Sequence, residues 1–412
     1  MPPNLRIALR FLLARKRSMV MSLAGIVFGV GFFIVALALT GGFEEFYIET
    51  VLGTDGAIRI EDRAQDTMRN MEAKGSGMVF SNRESRKYVA GIDEPRRMRD
   101  ALKNFPNVSA ISEVVRGNIR VETNARDDNA QVYGIRLEDH LATTNLGNQI
   151  TLGDLDDFRR TDIGALIGAT LAHRLDVTVG DMITMVVSDQ RMRFRISAVY
   201  ETGVTEVDKV RIFVHMGAAR SLLKKPFGAT YIQLNVYDRD RAPEDADRME
   251  DVLGHGVRSW QWRERAWLDV FSALRILSAT MVSTIILMGG LGMFNTLAMI
   301  VLEKTREISI LRSMGYTRQD ISGIFLWQGG VVLAAGTIVG WIVGVSVTYG
   351  MSKWPVHLSG IFRKDTFPVS WSPWHYAFAA VTAFVIVMVA SLIPARRAAR
   401  LEPGDVIRGT AT

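Results

Sequence analysis

Apolar residues are not spread evenly along this chain. Four stretches, 19–41, 276–302, 321–351 and 374–393, run almost without charge. Each reaches the roughly 20 residues that a helix needs to cross the hydrocarbon core of a bilayer, so four transmembrane helices are predicted. Ahead of the first, Leu5, Ala8, Leu9 and Leu12 recur at helical spacing with Arg6 and Arg10 on the opposite side. That spacing predicts a helix over 1–18, either lying amphipathically in the headgroup region or extending the first span. The first stretch exceeds the roughly 7 to 15 apolar residues of a signal-peptide core, and no small-x-small cleavage site follows Gly42, so it is expected to stay as an anchor.

The long segment 42–275 changes period. Alternating or β-branched runs at 57–61, 119–122, 131–135, 182–187, 193–200, 211–214 and 231–236 predict strands, while 95–105, 169–175, 216–223 and 243–253 predict helices. Their uneven spacing predicts an α+β domain inserted between spans one and two, not a regular doubly wound sheet. Within it, 62–94 carries few large apolar residues and is too polar to bury itself, which predicts a mobile excursion. The remaining segments are a link at 303–320, a loop at 352–373 and a tail at 394–412.

Charge adds orientation. The chain has 49 Lys+Arg against 43 Asp+Glu, a formal net charge of +6, and the excess lies beside the spans. Arg6, Arg10, Arg15, Lys16 and Arg17 precede the first, Lys304, Arg306, Arg312 and Arg318 lie between the second and third, and Arg396, Arg397, Arg400 and Arg408 follow the fourth. Under the positive-inside rule both termini are cytoplasmic and the 42–275 domain is exported. The basic excess is thereby assigned to topology, and nucleic acid is not expected as a partner. With no cysteine, the exported domain has no disulfide and must hold by its own core.

The chemistry of a motor or an enzyme is missing. No G-x-x-x-x-G-K-[ST] loop occurs, so the chain itself should not hydrolyse ATP, and no G-x-S-x-G elbow occurs either. The 6 histidines, His140, His173, His215, His255, His357 and His375, form no H-E-x-x-H motif and no i, i+4 pair, so no metal site is expected. The spans hold no Asp, Glu, Lys or Arg near their centres, which argues against a proton- or ion-coupled carrier. Gly289, Gly290 and Gly292, with Gly336, Gly340 and Gly344, are expected to serve close helix packing.

Between spans two and three runs Glu303-Lys304-Thr305-Arg306-Glu307-Ile308-Ser309-Ile310-Leu311-Arg312-Ser313-Met314-Gly315. Ile308, Leu311 and Met314 recur every three residues among charges, which predicts a short amphipathic helix capped by Gly315. This segment resembles the coupling helix of ABC transporter permeases of the MacB/FtsX/LolC-LolE superfamily, and the likeness is greatest to the LolC/LolE lipoprotein-releasing permeases. Other stretches carry the resemblance along nearly the whole chain: 22–26 with Gly42-Phe43-Glu44, Trp260 to Arg265 with Phe271 and Arg275, Phe294-Asn295, 324–329, Phe367-Pro368-Val369, and 394–403.

The resemblance implies a permease subunit without its own ATPase site, in a bacterial inner membrane. It would work with two copies of an ABC ATPase that bind ATP and Mg, and with a second permease, identical or paralogous. The implied activity is mechanotransmission that extracts lipoprotein or lipid cargo from the outer leaflet. The alternatives are MacB-like efflux and FtsX-like control of a cell-wall hydrolase. Glu303, Arg306, Glu307, Ile308, Leu311, Arg312 and Gly315 are the candidate ATPase-coupling residues. Phe32, Phe33, Leu37, Phe43, Phe46, Phe271, Leu274 and Leu277, near the outer ends of spans one and two, are candidates to meet acyl chains. The family also implies a periplasmic chaperone or adaptor, but where LolC carries a long hook insertion this chain joins its strands by a short turn within 186–194.

Overall fold

The computed structural model describes residues 3–14, 16–62, 91–124, 126–359 and 363–400. The greater part of the expected excursion, 63–90, and the tail beyond Arg400 with Arg408 lie outside the described residues. The chain divides into two compact units, one of Met1–Glu45, Asp269–Val356 and Thr366–Thr412, the other of Phe46–Leu268 with His357–Asp365.

Helix α1 (Pro3–Ala14) is followed by α2 (Lys16–Asp55), which outlasts the apolar stretch that predicted it. Nothing in 42–52 interrupts a helix: no proline occurs, and Phe43, Tyr47 and Thr50 keep one side inward or half-buried. The helix stops at Gly56, whose φ of +65° is left-handed backbone; its N–H donates to the Leu52 carbonyl at 3.1 Å, a glycine-terminated cap.

In chain order the second unit then contains β1 (Ile58–Ile60), α3 (Pro95–Leu102), β2 (Val108–Glu122), β3 (Asp127–Ile135), α4 (Leu137–Thr143), β4 (Ile150–Gly153), α5 (Leu155–Arg160), β5 (Gly164–Gly168), α6 (Ala169–Leu175), β6 (Met182–Val187), β7 (Gln190–Tyr200), α7 (Thr205–Asp208), β8 (Arg211–His215), α8 (Met216–Leu222), β9 (Tyr231–Val236), α9 (Ala242–Leu253), β10 (Val257–Ser259) and α10 (Trp260–Arg263). All seven predicted strand runs are strands, and the domain is α+β. Hydrogen bonding leads from β2 through β3, β8, β5, β7 and β6 back to β2, so these strands close on themselves. Strand β2 makes this possible by its length. Its first half pairs β9, which carries β1 and β10, and its second half pairs β3 and β6. Inside the ring lie Val121, Val132, Ile167, Phe194, Ile212 and their neighbours, all buried. The turn between β6 and β7 is Ser188-Asp189, with Val187 opposite Gln190.

The first unit continues with α11 (Arg265–Glu303), α12 (Thr305–Ser313), α13 (Arg318–Lys353), β11 (Pro355–Ser359), β12 (Arg363–Thr366) and α14 (Pro373–Arg400). Helices α2, α11, α13 and α14 are each long and apolar enough to cross a membrane. Helix α13 meets α2 through a glycine groove. A Cβ on Gly336, Gly340 or Gly344 would fall 2.7 Å from Ile26, 2.8 Å from Val30 or 3.0 Å from Ile34. One residue per turn of each helix thus lets a β-branched ridge sit against bare backbone. Gly289 of α11 meets Gly25 of α2 as closely, at 2.8 Å. These glycines pack helices, as their spacing predicted.

Candidate functional site

The link between the second and third spans is three pieces. Glu303 ends α11, Lys304 breaks the helix at φ −96° and ψ 11°, and α12 begins at Thr305. Ile308 is 1% exposed in the core of the first unit, among Ile321, Ile324 and Phe325, and Leu311 packs beside it. On the same side Arg312 donates from Nη1 to the carbonyl of Ala399 at 3.1 Å, tying α12 to the end of α14. The helix closes as its glycine predicted: Gly315 has φ +100°, its N–H donates to Arg312 O at 3.1 Å, and Tyr316 N–H reaches Leu311 O at 3.2 Å.

The opposite face of α12 is exposed. It presents Arg306 and Glu307, beside the exposed Glu303 at the end of α11, with Glu307 accepting from Lys304 Nζ, and Lys304 also lies over the Phe11 ring of α1 at 5.7 Å. Met314 departs from the expected buried stripe. It is the C-cap residue, turned out of the helical face, and is 73% exposed. Ile310, absent from the sequence-derived set, is 52% exposed on the same side. The only signal for it was its offset from the Ile308 and Leu311 register. The result is a charged surface with apolar side chains within it, held on a buried seat.

The candidate acyl-contact residues separate. Phe33 and Leu37 are buried within the helical core beside Val30 and Ile34, and Phe271 is buried as well. Phe32, Leu274 and Leu277 face outward, Phe43 is half-buried, and Phe46 belongs to the second unit. The structure therefore leaves Phe32, Leu274 and Leu277 as the outward-facing members of that set.

In the second unit the end of α2 enters a charged cluster that local spacing could not reveal. Asp55 accepts from both Arg211 terminal nitrogens, at 2.7 and 3.0 Å, and lies 3.2 Å from Arg59. Arg263 donates to the Gly56 carbonyl at 2.9 Å. The guanidiniums of Arg211 and Arg59 stack over the rings of Tyr133 and Tyr231, at 5.0 and 4.5 Å. Nearby, buried His140 takes a hydrogen bond position against Gln233 at 3.1 Å. Burial pushes its pKa down to about 4, so it is neutral at pH 7. Asp208 accepts from Thr202 Oγ1 at 2.8 Å and from the Thr202 N–H at 3.1 Å. Burial nevertheless raises its pKa to about 6. These groups fasten structure; among the described residues, no cluster of three or more His, Asp or Glu could hold a metal ion.

Comparison with known proteins agrees with this architecture. Residues 19–252 match the MacB-like periplasmic core domain, and residues 279–403 match the FtsX-like permease C-terminal region. The lipoprotein-releasing system transmembrane protein LolC of Xylella fastidiosa is 24% identical over 99% of both chains. The macrolide export ATP-binding/permease protein MacB of Nitrobacter winogradskyi is 25% identical over 94% of this chain and 57% of its own length. The solved periplasmic region of MacB from Actinobacillus actinomycetemcomitans aligns over 52% of this chain and 93% of its own, at 11% identity and a TM-score of 0.34. With the core-domain match alone spanning more than half of its residues, the chain belongs to the ABC transporter permeases that join a MacB-like periplasmic core domain to an FtsX-like permease region.

Proposed function

We propose that this chain is the membrane subunit of an ATP-driven assembly that draws lipoprotein or lipid-like cargo from the outer leaflet of a bacterial inner membrane. Two ATPase subunits, which bind ATP and Mg, supply the work, and a second permease completes the assembly. Both termini and α12 face the cytoplasm, and the second unit faces the periplasm. The observation that carries this reading is α12: Ile308, Leu311 and Arg312 fix it to the helical core, while Glu303, Arg306, Glu307 and Ile310 are presented outward. A helix seated in this way moves with the spans when a docked ATPase pushes it. The similarity to a lipoprotein-releasing permease over the full length of both chains favours lipidated cargo, and the outward Phe32, Leu274 and Leu277 offer it apolar contact, at about 0.8 kcal/mol per buried CH₂. The two-residue turn between β6 and β7 leaves no room for a hook, so hand-off to a chaperone through such a hook is not part of this reading.

The test is Glu307→Lys. The pair that Glu307 makes with Lys304 is solvent-exposed and worth only about 0.2 to 0.5 kcal/mol, so the variant should insert and melt like the parent. It should lose co-purified ATPase or cargo-stimulated turnover by about tenfold, the effect of roughly 1.4 kcal/mol at a docking surface. Parental values for both quantities in a properly inserted variant would remove α12 as the coupling element.

A further inference from the structure

Two stretches that the sequence marks separately, Gly42-Phe43-Glu44 and Phe367-Pro368-Val369, come together in the first unit. The strap 367–372, which leads into α14, lies across α2 at Gly41 and Gly42. A Cβ on Gly42 would fall 2.3 Å from the Pro368 carbonyl oxygen and 2.5 Å from Val369 Cα, both backbone atoms, so any larger residue there must move the strap. A Cβ on Gly41 would meet Ser370 Cβ at 3.4 Å and the His375 ring at 3.7 Å. Pro368 is buried in this seat, and the Ser370 N–H donates to the Ala38 carbonyl at 2.9 Å. The His375 N–H in turn donates to Ser372 O at 3.2 Å, so the first turn of α14 closes behind the strap.

The glycine pair is otherwise the weak point of α2. Each glycine in a helix interior costs about 0.8 to 1 kcal/mol relative to alanine, and pairs of such small residues are where long helices kink. Yet α2 runs unbroken from Lys16 to Asp55, and it passes from the first unit to the second just beyond the pair, between Glu45 and Phe46. The strap accounts for both facts. Ala38 O is the acceptor that the Gly42 N–H uses in an α-helix, so the Ser370 donor bears on the turn that contains the pair. Proline stiffens the strap by fixing φ.

The attachment is nevertheless light. A backbone hydrogen bond contributes about 0.5 to 1.5 kcal/mol net. Ser370 is half-buried and Trp371 exposed, so a lifted strap finds water for its N–H. Beyond the pair, Glu44 accepts from Arg275 of α11 in a partly exposed ion pair, of a kind that contributes about 1 kcal/mol or less.

We propose that the strap is a releasable brace: seated in the Gly41 and Gly42 notch it keeps α2 straight, and lifted it lets α2 bend at that pair. The inference rests on the reading above only in expecting ATP hydrolysis to drive the lifting.

Two measurements test it in the full chain, which has no cysteine of its own. The first needs no ATPase. Spin labels at Phe28→Cys and Glu49→Cys, exposed on α2 either side of the notch and 21 residues apart, should report one narrow distance near the roughly 32 Å of a straight helix. Ser370→Pro, which removes the N–H given to Ala38, should broaden the distribution towards shorter distances. Pro368→Gly, which loosens the strap and keeps that bond, should do so to a smaller extent. Parental distributions in both variants would overturn the brace.

The second measurement joins Gly41→Cys to Ser370→Cys, positions whose Cβ separation lies at the short end of the about 3.5 to 4.5 Å that a disulfide spans. In the complex with the ATPase, oxidation should link the double variant and lower ATP turnover about tenfold or more. Reductant should restore it, and each single variant should run at the parental rate. Failure of the link to form would remove the seated strap. A complete link with parental turnover would show that the strap never has to lift, and would overturn release. A parental chain that engages no ATPase would end the reading above, while the spin-label distances would still decide the brace.

Discussion

Asp55 is held by two guanidiniums from different parts of the fold, and its side chain and that of Arg211 are only 16% and 13% exposed. Removing the carboxylate leaves Arg211 and Arg59 desolvated without their counter-charge, the situation in which breaking a buried pair is costly. Asp55→Ala should therefore destabilise the second unit by roughly 3 to 5 kcal/mol, measured by denaturant unfolding of the purified protein. A change below about 1 kcal/mol would mean that the cluster is solvated in practice. Two buried titrating groups of this unit, His140 and Asp208, act in opposite directions. Folding lowers the His140 pKa from 6.5 to about 4 by burial, so the unfolded chain binds more protons between those values and stability falls as pH drops through that window. Folding raises the Asp208 pKa from 3.8 to about 6, again by burial, so here the native state binds more protons and stability rises as pH drops from 6 towards 3.8. Each effect is on the order of 3 kcal/mol, and in the parent they largely cancel. Asp208→Asn should therefore show a steeper loss of thermal midpoint between pH 6.5 and 4, and His140→Gln a gain relative to its own value at pH 7. Parallel profiles for all three proteins would refute both assignments. None of this was legible in the sequence, because Asp55 and Arg211 are 156 residues apart and nothing in the local spacing of either marks the other.

Secondary elements were legible to the extent that each had one apolar face. Spans α2, α11, α13 and α14 announce themselves by length alone, and strands β6 and β7 alternate. Strand β5 does not: Gly164–Gly168 is buried at every position, so no period of two exists to be seen. Strand β2 was recognised only over 119–122, because Ser112 and Glu113 are polar yet buried and break the apolar run. The coupling segment was legible as a motif, and its geometry was not, since the exposure of Ile310 and Met314 depends on where the helix breaks and caps. The glycine groove was legible as spacing and yields an element-level prediction. Gly340→Leu places a side chain whose Cβ alone would lie 2.8 Å from Val30, so α13 must retreat from α2. Overpacking of this kind costs about 1 to 3 kcal/mol or more, and the variant should show a clearly lower thermal midpoint in detergent. Gly330→Ala on the same helix meets nothing within 4 Å and should match or slightly exceed the parent, given alanine's helix propensity. Equal midpoints for the two variants would show that the groove is not a tight contact.

At the scale of the whole molecule the decisive quantity is orientation. In the proposed topology four spans put both chain ends on one side of the membrane and the second unit, which joins the end of α2 to the start of α11, on the other. Charge is the basis on which that topology assigns the two sides. Arg306, Arg312 and Arg318 lie between α11 and α13, and Arg396, Arg397 and Arg400 close α14, all within the short segments that set topology. At the α13–α14 connection Trp354, Trp371 and Trp374 are exposed, as expected of aromatic residues placed at a bilayer surface. The second unit is too long for its own charges to govern insertion. A membrane-impermeant maleimide should therefore label Asp189→Cys, in the exposed turn between β6 and β7, in intact spheroplasts. It should label Ser313→Cys, exposed at the end of α12, only after the membrane is opened. Labelling of position 313 and protection of position 189 in sealed spheroplasts would invert the topology, and with it the placement of α12 on the side where ATP is available.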